Sequence, residues 1–242
     1  MTAAQTDATF SAILRERTAG DHRDAETSTF MSALMDGRLP LAGYTDMLAQ
    51  HAYAYEVLES PAPAVADDPT LQPFLHPGLL RTEALAADLE TLVGPDWRQR
   101  HEPTPATERY VARLREVGST WTGGYVAHHY TRYLGDLSGG QFIGRIATRT
   151  YDLTPERGGR FASFDQLGDL TAFKDGYRAA LDAAPWDGDE QVRIVDEIRA
   201  AYALNGDVFA GLEHHTTPSA GERSGACGAK SKPQTTPLTQ SS

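Results

Sequence analysis

From about residue 10 to residue 213, apolar side chains return every third or fourth position, and alternating β-branched runs are scarce. That periodicity belongs to amphipathic helices rather than strands, and it predicts an all-α fold. Helices are expected over 10–37, 41–60, 78–94, 106–118, 125–151, 169–184 and 189–214. The breaks fall at Leu39-Pro40, Pro61 to Pro63, Gly94-Pro95, Pro103 to Pro105, Pro155 and Pro185, where proline lacks a helix donor and glycine frees the backbone to turn. No internal repeat is present. Beyond His215 the chain is rich in Ser, Thr, Pro, Gly and Lys and has little to bury. The organisation expected is a flexible start over 1–9, a single helical domain over 10–215 and a disordered tail over 216–242.

One predicted helix contradicts its own propensity. The stretch RYLGDLSGGQFIGR, Arg132 to Arg145, carries Gly135, Gly139, Gly140 and Gly144, and each glycine inside a helix costs up to ~1 kcal/mol relative to alanine. Gly135 and Gly139 stand four apart, so on a helix they clear one strip of its face. The intervening Arg132, Asp136, Ser138 and Gln141 are too polar for a membrane dimer seam. Two readings remain open: close crossing of two helices, or a large flat ligand laid against bare backbone, with the glycines also permitting a kink. In the second reading Asp136 would be a costly neighbour unless it held ordered water or a proton.

Composition narrows the partners. The chain has 242 residues, 40% hydrophobic and 23% charged, enough to bury one sizeable core. No stretch approaches the ~18 uninterrupted apolar residues of a membrane span. The N-terminus lacks a basic start and a continuous apolar block, and the one cysteine, Cys227, cannot form an internal disulfide; a cytoplasmic protein without a membrane anchor is expected. A net charge of −11 argues against nucleic acid, whose phosphates require a basic face. Any anion site must be a local cluster of Arg or Lys.

Of the eight histidines, His76 and His101 read as loop residues, His51 as helix-surface or packing, and His214 and His215 as cations closing the last helix. His128 and His129 point about 100° apart on a helix and cannot share one centre. His22 is followed four residues later by Glu26, which places imidazole and carboxylate on one helix face. A surface pair of that spacing is common; a metal-ligating histidine oriented by a carboxylate uses the same spacing. No histidine is preceded at the third position by Glu, and no HExxH occurs, so a di-iron or zinc site is unsupported. One helix-borne histidine is nevertheless enough to hold haem iron. Lys174 and Arg178, four apart, form a cationic stripe, and Arg15 lies seven residues before His22; two carboxylates on one edge of a planar ligand would need such partners.

With these residues in place the chain resembles a haem oxygenase of the soluble bacterial type over about 10–213. The resemblance rests on LRERTAGDHRDAETSTFMSALMDGRL and HHYTRYLGDLSGGQ, followed in order by FKDGYRAALD and ALNGDVFAGL. It implies a helical bundle with haem between a proximal and a kinked distal helix, and cleavage of that haem to biliverdin, in the α isomer, with carbon monoxide and ferrous iron released. O2 would be consumed, with reducing equivalents from an external donor protein, a ferredoxin or flavoprotein reductase. His22 would be the proximal iron ligand and Glu26 its hydrogen-bond partner. Gly135 and Gly139 would lie over the haem, with Asp136 organising water above the iron and Arg132 and Tyr55 in the same network. Lys174, Arg178 and Tyr130 would stand near the propionates, joined by Arg15 where relatives commonly carry lysine. Asn205 and Phe209 would complete the network and the pocket wall. A non-degrading haem carrier or sensor of the same fold, a thiaminase-like helical enzyme and a plain interaction module are the competing readings.

Overall fold

The computed structural model describes residues 8–216. Most of the expected flexible start, the tail beyond Thr216 and Cys227 lie outside the described residues. So does the Glu26 side chain, and with it the expected pairing to His22. Among the described residues the chain forms helices joined by turns and loops, without a strand.

The first predicted helix is three: α1 (Phe10–Arg17), α2 (Ala19–Glu26) and α3 (Thr29–Met35). Thr18 ends α1 at φ −106°, with its hydroxyl donating to the Leu14 carbonyl at 2.9 Å. Ser28 then opens α3 by accepting from the Met31 N–H at 3.2 Å. Both hydroxyls offer the backbone local partners that compete with continued helix. Arg15 and His22 therefore sit on successive helices rather than on one continuous face.

The next elements follow the predicted breaks. Pro40 caps α4 (Leu41–Leu58), and proline occupies the first turn of α5 (Pro63–Ala66). Two short 3₁₀ turns lead to α6 (Thr82–Val93), which ends at Gly94 with φ +98°; α7 (Trp97–Arg100) and α8 (Pro105–Thr120) follow. The glycine-bearing segment begins as α9 (Thr122–Gly135), widens into a π turn over Asp136–Gly140 and resumes as α10 (Gln141–Tyr151). Such a turn inserts an extra residue and offsets the helix axis. Asp169 and Asp187 cap α11 (Leu170–Ala183) and α12 (Gly188–Gly211) by accepting from backbone N–H groups of their first turns.

A single hydrophobic cluster runs from Phe10 to Leu212. Within it α9 lies along α12, α4 packs on α6 and α8, and α2 crosses α12. This packing leaves a slot between α2 and the widened segment after α9. Among the described residues no helix is long and apolar enough to cross a membrane.

Candidate functional site

Two cavities open from this slot, and His22, Gly135 and Tyr202 line both. The larger, about 350 Å³, adds Arg15, Tyr130, Leu134, Ser138 and Arg178. The smaller, about 120 Å³, adds Met31, His51, Arg132, Asp136, Gly139, Asn205 and Phe209. The Tyr202 ring meets His22 edge-on, with centroids 5.8 Å apart. Opposite, Gly135 has ordinary helical geometry at φ −60°, and a Cβ added there would meet nothing within 4 Å. Its missing side chain widens the slot rather than relieving a helix contact. Gly144 is the converse, since a Cβ there would come 2.6 Å from the Ala162 Cβ. The segment thus uses both readings of its glycines, one facing a cavity and one packing.

On the glycine side the polar groups form a connected set. Tyr55, fully buried on α4, donates its hydroxyl to Asp136 Oδ2. The Arg132 guanidinium lies over the Tyr55 ring, 4.7 Å from its centroid, and donates to Asn205 Oδ1 at 2.8 Å. Burial pushes the Asp136 carboxyl above the ordinary carboxylate range, while Arg132 and the Tyr55 hydrogen bond pull it back. Burial alone would lower the Arg132 pKa, but Tyr55, Tyr110 and Asp136 hold it above its ordinary value. Its Nε and Nη2 are buried without a hydrogen-bond partner among the described residues, so this cation keeps donors to spare. Further back, the Tyr133 hydroxyl donates to Glu59 Oε1 at 2.8 Å. Glu59 in turn accepts from the backbone of Arg81 and Thr82 at 2.5 and 3.1 Å, which ties α4 to the start of α6.

The cations divide. Arg178 lines the larger cavity and pairs with Asp175 at 2.6 Å. Arg15 lies on the same cavity, and both guanidinium charges act on Tyr130, whose hydroxyl burial pushes upward in pKa against them. Lys174, one turn before Arg178, reaches the Leu137 carbonyl at 3.3 Å and Ser138 Oγ at 3.4 Å. It clasps the π turn. Phe209 stacks on Phe30 with centroids 5.8 Å apart.

Sequence reading missed His51. It is 7% exposed, lines the smaller cavity and touches Phe161 and Phe209. Burial, reinforced by Arg132, pushes its pKa well below the ordinary value, so the imidazole is neutral. His128 and His129 are also interior. His128 Nε2 lies 2.8 Å from Glu197 Oε1, and His129 Nδ1 lies 2.9 Å from the Tyr177 hydroxyl. Arg113 completes the first of these pairs by donating to both Glu197 oxygens at 2.8 and 2.5 Å, and together they hold the Glu197 carboxyl at about 2 against burial, which raises it.

A family model, heme oxygenase, matches residues 8–211. The chain belongs to the heme oxygenase family. Among relatives, the heme oxygenase of Porphyra purpurea is 37% identical over 199 residues, covering 82% of this chain and 84% of that one. The solved structure of Synechocystis heme oxygenase-1 in complex with heme superposes with a TM-score of 0.79 at 34% identity, over 86% of this chain and 94% of that one. Synechocystis heme oxygenase-2, solved with heme and NO, gives a TM-score of 0.82 at 34% identity, over 90% of both chains. The expected all-α fold and family are borne out, and the protein is an enzyme that cleaves haem.

Proposed function

We propose that the slot between α2 and the π turn takes haem, and that the reaction yields α-biliverdin, carbon monoxide and ferrous iron with O2 and an external electron donor. The observation that carries this reading is that His22 and Gly135 line the same two cavities, with a connected Asp136, Tyr55, Arg132 and Asn205 set on the glycine side. The residues suit the group: one imidazole for an iron, bare backbone for a flat ring, and Arg15 and Arg178 for two carboxylates. When bound, haem supplies both the redox iron and the ring that is opened.

The protein's part is to hold and to protonate. His22 would hold the iron from α2, with the Tyr202 ring edge-on against that imidazole. Gly135 and Gly139, both lining the smaller cavity, would leave room there for O2, and a side chain at Gly135 would enter that space. Asp136, oriented by the Tyr55 hydroxyl, holds ordered water on the glycine side and passes a proton through it; its raised pKa suits a group that both keeps and gives up a proton. Arg132, anchored by Asn205, uses its spare donors on the same water. Arg15, Arg178 and Tyr130, which line the larger cavity, would hold the haem carboxylates, and Lys174 would act through the π turn. The domain responsible is 10–215. We place it in the cytoplasm, with an acidic donor such as a ferredoxin docking on the cations around the slot.

The test is an aerobic spectrum of the purified protein with one equivalent of hemin, followed through reduction in the presence of catalase. A Soret band that forms and decays into biliverdin absorption with ferrous iron released supports the proposal. A band that persists through reduction would make the protein a carrier, and absence of a band would return the glycines to helix packing.

A further inference from the structure

Three of the chain's eight histidines gather about one carboxylate that lines neither cavity of the haem slot. Asp46 lies near the start of α4, nine residues before Tyr55 and so about 13 Å from it along the helix axis. His215 comes from the 3₁₀ turn Glu213–Thr216 that follows α12, and its Nε2 is 3.0 Å from Asp46 Oδ2. His101, just beyond α7, places Nδ1 3.4 Å from the other oxygen, Oδ1. Gln50 donates to that same Oδ1 at 3.1 Å. The amide is itself locked, because its oxygen accepts from the Thr104 N–H at 3.0 Å and the Thr107 hydroxyl at 2.7 Å. One carboxylate oxygen is thus oriented from behind, and the other faces the histidine turn.

That turn is seated on α4 by an absent side chain. A Cβ added at Gly43 would stand 2.9 Å from the His215 Cβ, so only glycine lets the two segments approach this closely. The His214 and His215 rings lie 4.1 Å apart. Ligand atoms of Asp46, His214 and His215 all fall within 4.8 Å of one another.

We propose that Asp46, His214 and His215 bind one divalent first-row transition cation, with His101 and Gln50 orienting the carboxylate. Two imidazoles and one carboxylate suit zinc, cobalt or ferrous iron, whereas calcium and magnesium require an oxygen cage. Bonds of about 2.0–2.2 Å put neighbouring ligand atoms about 3.0–3.5 Å apart, and the Asp46 to His215 separation is already in that range. The hydrogen bonds on Oδ1 are the outer partners that ligating carboxylates recruit. Bound there, the cation ties the end of α12, which carries Asn205 and Phe209, to α4, which carries Tyr55. A purely protonic imidazole–carboxylate cluster is the alternative.

The experiment uses the full, tag-free chain without haem. Binding of Co²⁺ is followed by its visible absorption and binding of Zn²⁺ by calorimetry, with the thermal midpoint read in parallel. One equivalent of either ion should bind, and Zn²⁺ should raise the midpoint. Asp46→Asn and His214→Ala should each weaken binding tenfold or more and abolish the thermal shift, while His76→Ala changes neither. His214 is exposed, so its substitution leaves the core untouched. Failure of the wild type to bind, or binding that both substitutions leave unchanged, overturns the site.

Discussion

The Tyr55 hydroxyl donates to Asp136 Oδ2 from a fully buried ring on α4, so a neighbouring helix sets the direction of a carboxylate that lines the slot's smaller cavity. In the proposed reaction a carboxylate oriented in this way would serve a proton path, whereas storage of haem has no need of it. Tyr55→Phe deletes one hydrogen bond to a charged group, a loss of about 1.5–3 kcal/mol in that interaction, without touching His22. Haem affinity should stay within about threefold, while biliverdin formation in single turnover falls tenfold or more. Asp136→Ala should bind haem and lose most of its biliverdin yield; a normal yield from Asp136→Ala would remove the carboxylate from the mechanism.

The glycines divide by experiment as they do by geometry. At Gly135 the added methyl meets no protein atom, so Gly135→Ala should leave the haem-free protein equally stable or gain up to about 1 kcal/mol in helix propensity. The same methyl enters the slot and should weaken haem binding. At Gly144 the methyl would press on Ala162 at 2.6 Å, and overpacking of that kind costs about 1–3 kcal/mol. Gly144→Ala should therefore lower the urea midpoint. Matching losses of stability from both variants would mean that Gly135 packs a helix after all.

Three buried histidines make the haem-free protein acid-sensitive. Burial is the leading cause that lowers the pKa of His51, His128 and His129, the last to about 3. Each stays neutral in the folded chain while its unfolded counterpart takes up a proton near pH 6.5. The unfolded state then binds more protons, so stability is full above about pH 6.5 and falls as the pH drops through the window down to each folded-state pKa. The slope approaches about 1.4 kcal/mol per pH unit for each histidine. Glu197, held at about 2, adds a further loss below about pH 4.5. Urea unfolding at pH 7.5, 6.5 and 5.5 should show a falling midpoint with net proton uptake; a flat profile would contradict neutral buried imidazoles.

Much of the fold was legible because proline and glycine punctuate it. Pro40 caps α4, and Pro63 and Pro105 stand in the first turns of α5 and α8. The division of the first helix was hidden, since the backbone leaves helical angles at Thr18 and Ser28 without interrupting the apolar period. The glycine run announced something unusual but not a π turn. Its widening is held from outside, by Lys174 on the Leu137 carbonyl and by Gln141 Nε2 on the carbonyls of Asp136 and Ala162. The resemblance names several of the residues that line the two cavities, with Arg15 and His22 brought to one cavity across a helix break. His51 could not be placed, because α4 is buried on nearly every side and periodicity then fails to say which face meets a cavity.

Lys174 and Arg178 share a helix face by spacing, yet they should fail differently. Arg178 lines the larger cavity with Arg15, so Arg178→Glu should act directly on a carboxylate-bearing ligand, weakening haem binding and altering the biliverdin isomer mixture through haem rotation. Lys174 instead bonds the backbone of the π turn, where a cation-assisted hydrogen bond contributes about 1.5–3 kcal/mol. Lys174→Met keeps the stem and removes the charge. It should loosen the turn, speed amide exchange over 136–140, and change the isomer mixture only as far as the turn moves. Isomer analysis by chromatography, paired with hydrogen exchange, separates the two roles: unchanged α product in both variants would discard the cationic clamp, while faster exchange in Lys174→Met alone would confirm that this lysine acts through the helix rather than on the ligand.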